Sequence, residues 1–183
     1  MLFRSILLFS EQPDTELPAI VANRLTPTVY RVDHVDALAR CVRESGTHAL
    51  DVHVKIDTGM HRVGAEPERA KLVVSRVIEH SDALRLTGVY THFAAADIPD
   101  HPANQMQAHR FTEALHEIGP LPDGVRVHAV NSAGAMSMPN QRHDFVRSGI
   151  ATYGIVPGDG VAEHCVDLRP VLSLRAQIGR AHV

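Results

Sequence analysis

The stretch Asp51–Gly64, DVHVKIDTGMHRVG, decides the fold that this sequence predicts. Its first half predicts a β-strand, because the apolar side chains of Val52, Val54 and Ile56 alternate with polar ones. The chain then turns at the letters DTG, where glycine permits a tight turn, and presents Arg62 just beyond the strand. Ligands of α/β proteins bind at this carboxyl end of a strand. The stretch therefore predicts a strand of an α/β fold with a basic group at its binding edge.

Lys55 is a charged residue inside this otherwise apolar strand. If it is buried, it has to be paired, be chemically modified or point into a polar cavity, because a buried ammonium loses its hydration. Alternatively, Lys55 lies on an exposed edge strand. In the same way, Arg62 can be a solvated charge on a loop. The strand pattern leaves both interpretations open.

Strand and helix patterns alternate on both sides of this stretch. Apolar or β-branched runs predict strands at Ile6–Ser10, Thr28–Tyr30, Asp51–Asp57, Leu86–Phe93 and Val125–Val130, and a short one within Phe145–Ile155. Helical spacing of apolar residues predicts helices over Glu16–Asn23, from Asp33 to Gly46, from Pro67 to Ile78 and over Met106–Ile118. The alternation predicts a parallel sheet with right-handed crossovers. A doubly wound sheet and a (β/α)8 barrel both fit, although the absence of GxGxxG after the first strand disfavours a dinucleotide-binding Rossmann fold.

The composition is that of a globular domain and argues against several partners. A net charge of −3 with scattered Lys and Arg predicts no nucleic-acid or acidic-membrane partner, and no apolar run is long enough to span a membrane. Cys41 and Cys165 match no metal or redox motif, which favours a reducing compartment, hence the cytoplasm. The 13 histidines include no HExxH motif or close ligand pair, which argues against a metal-binding protein.

Polar residues follow the apolar runs at four predicted strand ends. They are Lys55 with Arg62, Tyr90-Thr91-His92-Phe93 with Asp97, His128 through Asn131-Ser132-Ala133, and Arg147-Ser148-Gly149-Ile150 with Tyr153-Gly154. Each has an ordinary structural alternative: His92 can be a core histidine, and Asn131-Ser132 can be a helix N-cap. In a barrel, however, all four ends would meet at the carboxyl face.

Four of these segments, KIDTGMHR, THFAAAD, HAVNSAG and RSGIATYG, occur in the order found in alanine racemases and resemble that family's motifs. The intervening DIPDHPANQMQAHRF also resembles the family, and the likeness covers roughly residues 6–177. The resemblance implies a fold-type III enzyme with an N-terminal (β/α)8 barrel that binds pyridoxal 5'-phosphate (PLP). It also implies a cytoplasmic homodimer.

The resemblance implies a division of the chain. Residues 6–156 would be a partial PLP-binding barrel without its first two βα units, so that Ile6–Ser10 would be the third strand. Residues 157–167 would be a linker, and residues 168–177 would be the first strand of a truncated C-terminal β domain. Residues 1–5 and 178–183 are predicted to be non-native ends, because LFRS and IGRAHV can both be back-translated into a common sequencing adapter.

The resemblance also assigns roles at the cofactor. Arg147 would face the pyridine nitrogen of PLP, and His92 would hold its guanidinium. Ser132 would form the phosphate cradle, with three further cofactor-binding residues: Asn131, Gly149 and Ile150. A protonated arginine keeps the ring a weaker electron sink, which suits a racemase.

Two more residues receive roles from the resemblance. Arg62 would bind both the cofactor's hydroxyl side and the substrate carboxylate. Lys55 matches a lysine that is carbamylated in many family members, a change that would give an anion able to pair with Arg62. No metal ligand is implied.

The implied reaction is the interconversion of L-alanine and D-alanine through a PLP aldimine and two-base proton transfer, which supplies D-alanine for peptidoglycan. The family's Schiff-base lysine lies in a KAxAYGHG motif that this sequence lacks; its lysines are Lys55 and Lys71. The second catalytic group, a tyrosine of the C-terminal domain, is missing as well. This chain is therefore expected to contain no catalytic residue and to be inactive alone. A broad-specificity amino-acid racemase and a non-catalytic PLP-binding barrel are the alternatives.

Overall fold

The protein forms a parallel β-sheet whose strands alternate with helices, as seen in a computed structural model that describes residues 5–175 and residue 179. The strands are Thr28–Val29 (β1), Leu50–Lys55 (β2), Leu84–Tyr90 (β3) and Arg126–His128 (β4). The helices are Leu17–Ala22 (α1), Val32–Ser45 (α2), Pro67–Glu79 (α3), Pro102–Ile118 (α4) and Ser132–Ser137 (α5). Short 3-10 helices cover Asp14–Glu16, Pro139–Gln141, Ile150–Tyr153 and Asp159–Cys165.

The order of the strands in the sheet decides between the two predicted architectures. All pairings are parallel, and β1, β2, β3 and β4 are neighbours in chain order. A parallel bridge between Leu7 and Thr26 adds a further segment beside β1. A doubly wound sheet reverses its strand order, whereas a barrel adds each strand to the edge of the previous one. The predicted barrel-type α/β fold is therefore confirmed over the doubly wound one.

The core lies between the sheet and the helices that cross back over it. β2 contributes Val52 and Val54, and α2 contributes Leu38 and Val42, all at most 1% exposed. Helix α2 ends where Gly46 adopts a left-handed conformation, with φ of 64°, which is the usual way to end a helix. The predicted helix from Asp33 to Gly46 is thus confirmed to within one residue.

The predicted strand within Phe145–Ile155 is wrong for the described structure. Asp144 and Arg147 each donate one backbone N–H to the β4 region, at 3.0 Å to Val127 O and 3.0 Å to Val130 O. The side chain of Asp144 accepts the N–H of Val127 at 2.6 Å, where a ladder would use a backbone carbonyl. The segment therefore follows β4 without forming a regular strand, and it continues into the 3-10 helix Ile150–Tyr153.

The structure also describes most of the predicted linker and C-terminal strand. Within the predicted linker, residues 157–167, Val161 and Cys165 of a 3-10 helix are 0% and 5% exposed and join the core. Residues 168–175 form no strand, and residues 176 and 177 lie outside the described residues. The predicted non-native ends also lie outside them, apart from Ser5 and Gly179. The division into domains stays a prediction.

A β-bulge between β2 and β3 makes room for a histidine ring. The pairing runs from Val52 with Leu86 directly to His53 with Gly88, so Thr87 is the extra residue. A Cβ atom added at Gly88 would lie 2.5 Å from both Nδ1 and Cε1 of His53. The imidazole of His53 therefore crosses β3 in the space that a side chain at position 88 would fill.

We predict that Gly88→Ala lowers the free energy of unfolding by about 1–3 kcal/mol, because the new methyl group overpacks against the His53 ring. The measurement is the urea midpoint of each variant. In a His53→Ala background the same Gly88→Ala change should cost much less, since the atoms that the methyl group meets are absent. A loss of the same size with and without the His53 ring would contradict this steric explanation.

Candidate active site

A cavity of about 620 Å³ opens at the carboxyl ends of the strands. Every residue to which the sequence assigned a binding role lines it: Lys55, Arg62, His92, Asn131, Ser132, Arg147, Gly149 and Ile150. Tyr90 and Phe145 supply the aromatic part of its wall. The strand ends thus converge because parallel strands that are neighbours in the sheet end at one face.

Arg147 is held in the cavity wall by uncharged acceptors. Its Nη2 donates to the carbonyl oxygens of Thr91 at 2.7 Å and Ala129 at 2.8 Å, and it lies 3.2 Å from Nδ1 of His92. Its Nη1 donates to Nδ1 of His128. Burial lowers the pKa of Arg147 to about 10, so the guanidinium still keeps its proton at neutral pH.

The remaining hydrogen-bonding capacity of Arg147 is directed to the cavity. Within residues 5–175, its Nε–H has no acceptor and no carboxylate lies within 4 Å of its nitrogens. Its Cζ lies 5.0 Å from the centre of the Tyr90 ring. A positive charge held in this way, without an internal counter-ion, favours a ligand that brings an acceptor or a negative charge.

His92 and His128 are both neutral neighbours of this cation. Burial, followed by the charges of Arg147, Lys55 and Arg62, lowers the pKa of His92 to about 4. Burial and Arg147 lower the pKa of His128 to about 2. Both rings therefore present a lone pair to the guanidinium at neutral pH.

Ser132 organises the turn that follows Arg147. Its Oγ accepts the N–H groups of Gly149 at 2.9 Å and Ala151 at 3.3 Å. The hydroxyl proton of Ser132 is then left to donate, and the N–H groups of Ser148 and Ile150 have no acceptor among the described residues. The cluster at this side of the cavity can therefore offer several donors to an anion.

Asn131 has the ordinary structural role that the sequence left open. Its Oδ1 accepts the N–H of Gly134 at 3.0 Å and so caps α5. Its Nδ2 lies 3.5 Å from Nε2 of His92, at the limit of a hydrogen bond. Asn131 therefore has two roles: it caps α5, and its side chain lies beside His92 at the cavity.

One carboxylate, that of Asp57, holds the backbone of the DTGM loop. Asp57 Oδ1 accepts the N–H groups of Gly59, Met60 and His61 at 3.0, 2.8 and 3.1 Å. These bonds, with Gly59 first among them, keep the pKa of Asp57 below its usual value despite its burial. The loop thereby presents Arg62, which is exposed at the rim of the cavity.

A buried glutamine joins this loop to the end of β3. Gln107, on α4, is 0% exposed; its Nε2 donates to Oγ1 of Thr58 at 3.2 Å and to the carbonyl oxygen of His92 at 3.0 Å. Its Oε1 accepts the N–H of Ala94 at 2.9 Å. Helix α4 therefore fixes the backbone of His92 from behind the site.

Lys55 is buried, being 2% exposed, and its Nζ lies 5.7 Å from the centre of the Tyr90 ring. Burial, followed by the charges of Arg62 and Arg147, lowers its pKa to about 8. The exposed-edge alternative for Lys55 is thus wrong. With Asp97 as the one acidic residue of the described lining, the cavity carries an excess of positive charge.

Sequence reasoning missed the contributions of His53, His128 and Gln107. His128 stood at a predicted strand end but received no role, although its ring stacks between Tyr90 at 4.6 Å and Phe145 at 4.2 Å. Gly88, an isolated glycine inside a strand pattern, was the available signal for His53, because such a glycine marks a bulge or a close approach.

Neither a metal-binding cluster nor a membrane-spanning helix is found in the part of the chain that the structure describes. Across residues 5–175 and 179, no group of three or more His, Cys, Asp or Glu side chains is arranged to hold a metal ion. Over the same part of the chain, no helix has both the length and the apolar character needed to cross a membrane.

Comparisons with known proteins identify the family. The family description "Alanine racemase, N-terminal domain" matches residues 3–157. The alanine racemases of Desulfovibrio desulfuricans and Methanococcus maripaludis are 37% and 32% identical over 175 and 176 residues, in each case 94% of this chain and 46% of the relative. The alanine racemase of Clostridium difficile 630, solved in complex with cycloserine, matches with a TM-score of 0.78 at 33% identity, over 90% of this chain and 45% of that one.

A cation-rich cavity at the carboxyl ends of sequentially ordered parallel strands defines a barrel-type α/β protein suited to a small anionic ligand. The chain belongs to the alanine racemase family, because the family match covers most of its length. The resemblance found in the sequence is confirmed. The chain spans less than half the length of the curated relatives it matches.

We predict that Lys55→Met reduces the pH dependence of stability between about pH 8 and 10.5, the folded pKa and the ordinary pKa of Lys55. Below this range Lys55 is charged in both states, so folding carries the full cost of burying the charge. Within it, the folded state releases the proton while the unfolded state keeps it, so stability rises with pH. Urea unfolding at several pH values measures the difference.

The matched control is Lys71→Met, because Lys71 is the other lysine of the chain and is exposed on α3. It should leave the pH profile of the unmodified chain unchanged. Identical profiles for Lys55→Met and Lys71→Met would contradict the assignment of a depressed pKa to Lys55.

Proposed function

We propose that this chain is the cofactor-binding part of a PLP-dependent alanine racemase that interconverts L-alanine and D-alanine, with D-alanine supplied for peptidoglycan. The observation that carries the proposal is Arg147, a guanidinium in the cavity wall with neutral partners and an Nε–H still to be donated. An unprotonated pyridine nitrogen is an acceptor that fits this donor. The family membership supports the same conclusion.

The other end of the cavity fits a phosphate group. The Ser132 hydroxyl, with the backbone N–H groups around Gly149 and Ile150, would donate to phosphate oxygens. The loops after the last strands of a barrel are the usual place for such a group. PLP, when bound, supplies the electron sink that allows the α-proton of the amino acid to leave. Arg147, which keeps its proton, would donate a hydrogen bond to the ring nitrogen without transferring a proton, and this would moderate that sink.

Arg62 and Lys55 complete the proposal at the substrate side. Arg62, exposed at the rim, would bind the cofactor hydroxyl and the substrate carboxylate. Lys55 would be carbamylated, since its lowered pKa raises the fraction of neutral amine that can react with carbon dioxide. The carbamate would bring a negative charge beside two arginines. An intact mass equal to that of the unmodified chain, measured on the whole protein, would exclude this modification.

The groups that move the proton would come from outside this segment, as would much of the substrate pocket. A homodimer in the cytoplasm is part of the proposal. The free thiols of Cys41 and Cys165 agree with a reducing compartment.

We predict that Arg147→Leu weakens binding of 4'-deoxypyridoxine 5'-phosphate to this chain by about 10- to 100-fold, because a charge-assisted hydrogen bond is lost. This ligand has the ring and phosphate of PLP without its aldehyde, so lysine adducts cannot mimic binding. Ser132→Ala should also weaken binding of this ligand, because the hydroxyl that would donate to its phosphate is lost. Titration calorimetry gives the constants.

Arg126→Leu is the control, since Arg126 is exposed on β4 away from the cavity lining. Equal affinities for the Arg147→Leu and Arg126→Leu variants would count against the proposed orientation of the cofactor. For the whole protein, a chiral assay across several amino acids separates an alanine racemase from a broad-specificity racemase. PLP absorbance without any racemisation would indicate a non-catalytic PLP-binding protein.

A further inference from the structure

A line of hydrogen bonds leads from the cavity into the sheet. Arg147 Nη1 donates to Nδ1 of His128, and Nε2 of His128 lies 3.0 Å from Nδ1 of His53. His128 is 0% exposed, and its ring is stacked between Tyr90 and Phe145. The three side chains therefore form one continuous series from the cavity wall to β2.

The protons in this series can be assigned from the cation outward. A guanidinium has donors and no acceptor, so Nδ1 of His128 must carry a lone pair. A neutral His128 then has its proton on Nε2, and this N–H can only donate to Nδ1 of His53. His53 must in turn carry its own proton on Nε2. Every hydrogen bond thus runs in the same direction, away from Arg147.

The backbone is shaped to permit the second bond. His53 lies on β2 and His128 on β4, with β3 between them. The bulge at Thr87 sets His53 opposite Gly88, and the absence of a side chain at Gly88 lets the ring pass over β3. A bulge and a strand glycine each weaken a ladder, so their coincidence at this position indicates a built contact.

We infer that His53 is a positioning residue: by accepting the Nε2 proton of His128, it fixes His128 in the tautomer whose Nδ1 holds the guanidinium of Arg147. Without an acceptor at position 53, the proton of His128 can move to Nδ1. Two donors would then face each other, and Arg147 would keep only its partners on Nη2: the carbonyl oxygens of Thr91 and Ala129 and Nδ1 of His92. The consequence for catalysis rests on the proposed function, whereas the hydrogen-bond order does not involve the cofactor.

The test is nitrogen NMR of the unmodified chain with ¹⁵N-labelled histidine. His128 should show a protonated Nε2 and an unprotonated Nδ1, with a scalar coupling across the hydrogen bond to Nδ1 of His53. Protonation of His128 at Nδ1, or the absence of that coupling while His128 is observed, would overturn the inference without any variant. Because the measurement is made without PLP, its failure is distinct from failure of the proposed function.

Two substitutions then separate the hydrogen bond from the volume of the ring. Asn Oδ1 occupies the same place along the side chain as His Nδ1, so His53→Asn keeps an acceptor. His53→Leu fills space without one. We expect the Nη protons of Arg147 to exchange with water about fivefold faster in His53→Leu, and at the original rate in His53→Asn.

Equal exchange rates in the Leu and Asn variants would show that only packing matters, and would overturn the inference. If His53→Leu does not fold, the Asn variant decides: it must keep the His128 tautomer of the unmodified chain. Loss of that tautomer in a folded Asn variant would also overturn the inference.

Discussion

The structure around the site depends on one constraint, the presence of a guanidinium in a poorly hydrated wall without a carboxylate beside it. The two Nη groups of Arg147 are bonded to two backbone carbonyls and two imidazole nitrogens. Those acceptors are available only because β3 and β4 end side by side and because the histidines are neutral. The cation itself helps to keep them neutral, by lowering the pKa of both His92 and His128. The charge and its surroundings are therefore mutually dependent.

The loops around this charge are each held by a polar side chain that bonds to backbone groups. Asp57 accepts three N–H groups in the DTGM loop, and Ser132 accepts two in the turn after Arg147. Gln107 satisfies both a carbonyl and an N–H at the end of β3. Irregular backbone would otherwise leave polar groups without partners in a buried region. Several of the motif residues thus shape the site rather than touch a ligand.

The sequence was sufficient to predict which residues share the cavity, because parallel neighbouring strands end at one face and each motif follows an apolar run. Its periodicity could not choose between a barrel and a doubly wound sheet, since periodicity carries no information on strand order; the resemblance of the motifs to one family made that choice. The contact between His53 and His128 depends on a register shift at Thr87, which an alternating pattern does not encode. The Phe145–Ile155 segment was wrongly predicted to contain a strand. The side chain of Asp144 accepts the N–H of Val127 in place of a backbone carbonyl, and an apolar pattern does not reveal such a replacement.

The sequential strand order has a consequence for how the molecule assembles. Each strand pairs in parallel with its predecessor in the chain, so each pairing has to close one helical crossover before the next strand can add to the sheet. The segment with Arg147 comes after β4 and is joined to it by two backbone hydrogen bonds. We therefore expect it to dock only after β3 and β4 are in place. We expect its amides to exchange through local opening while the strands behind it stay protected.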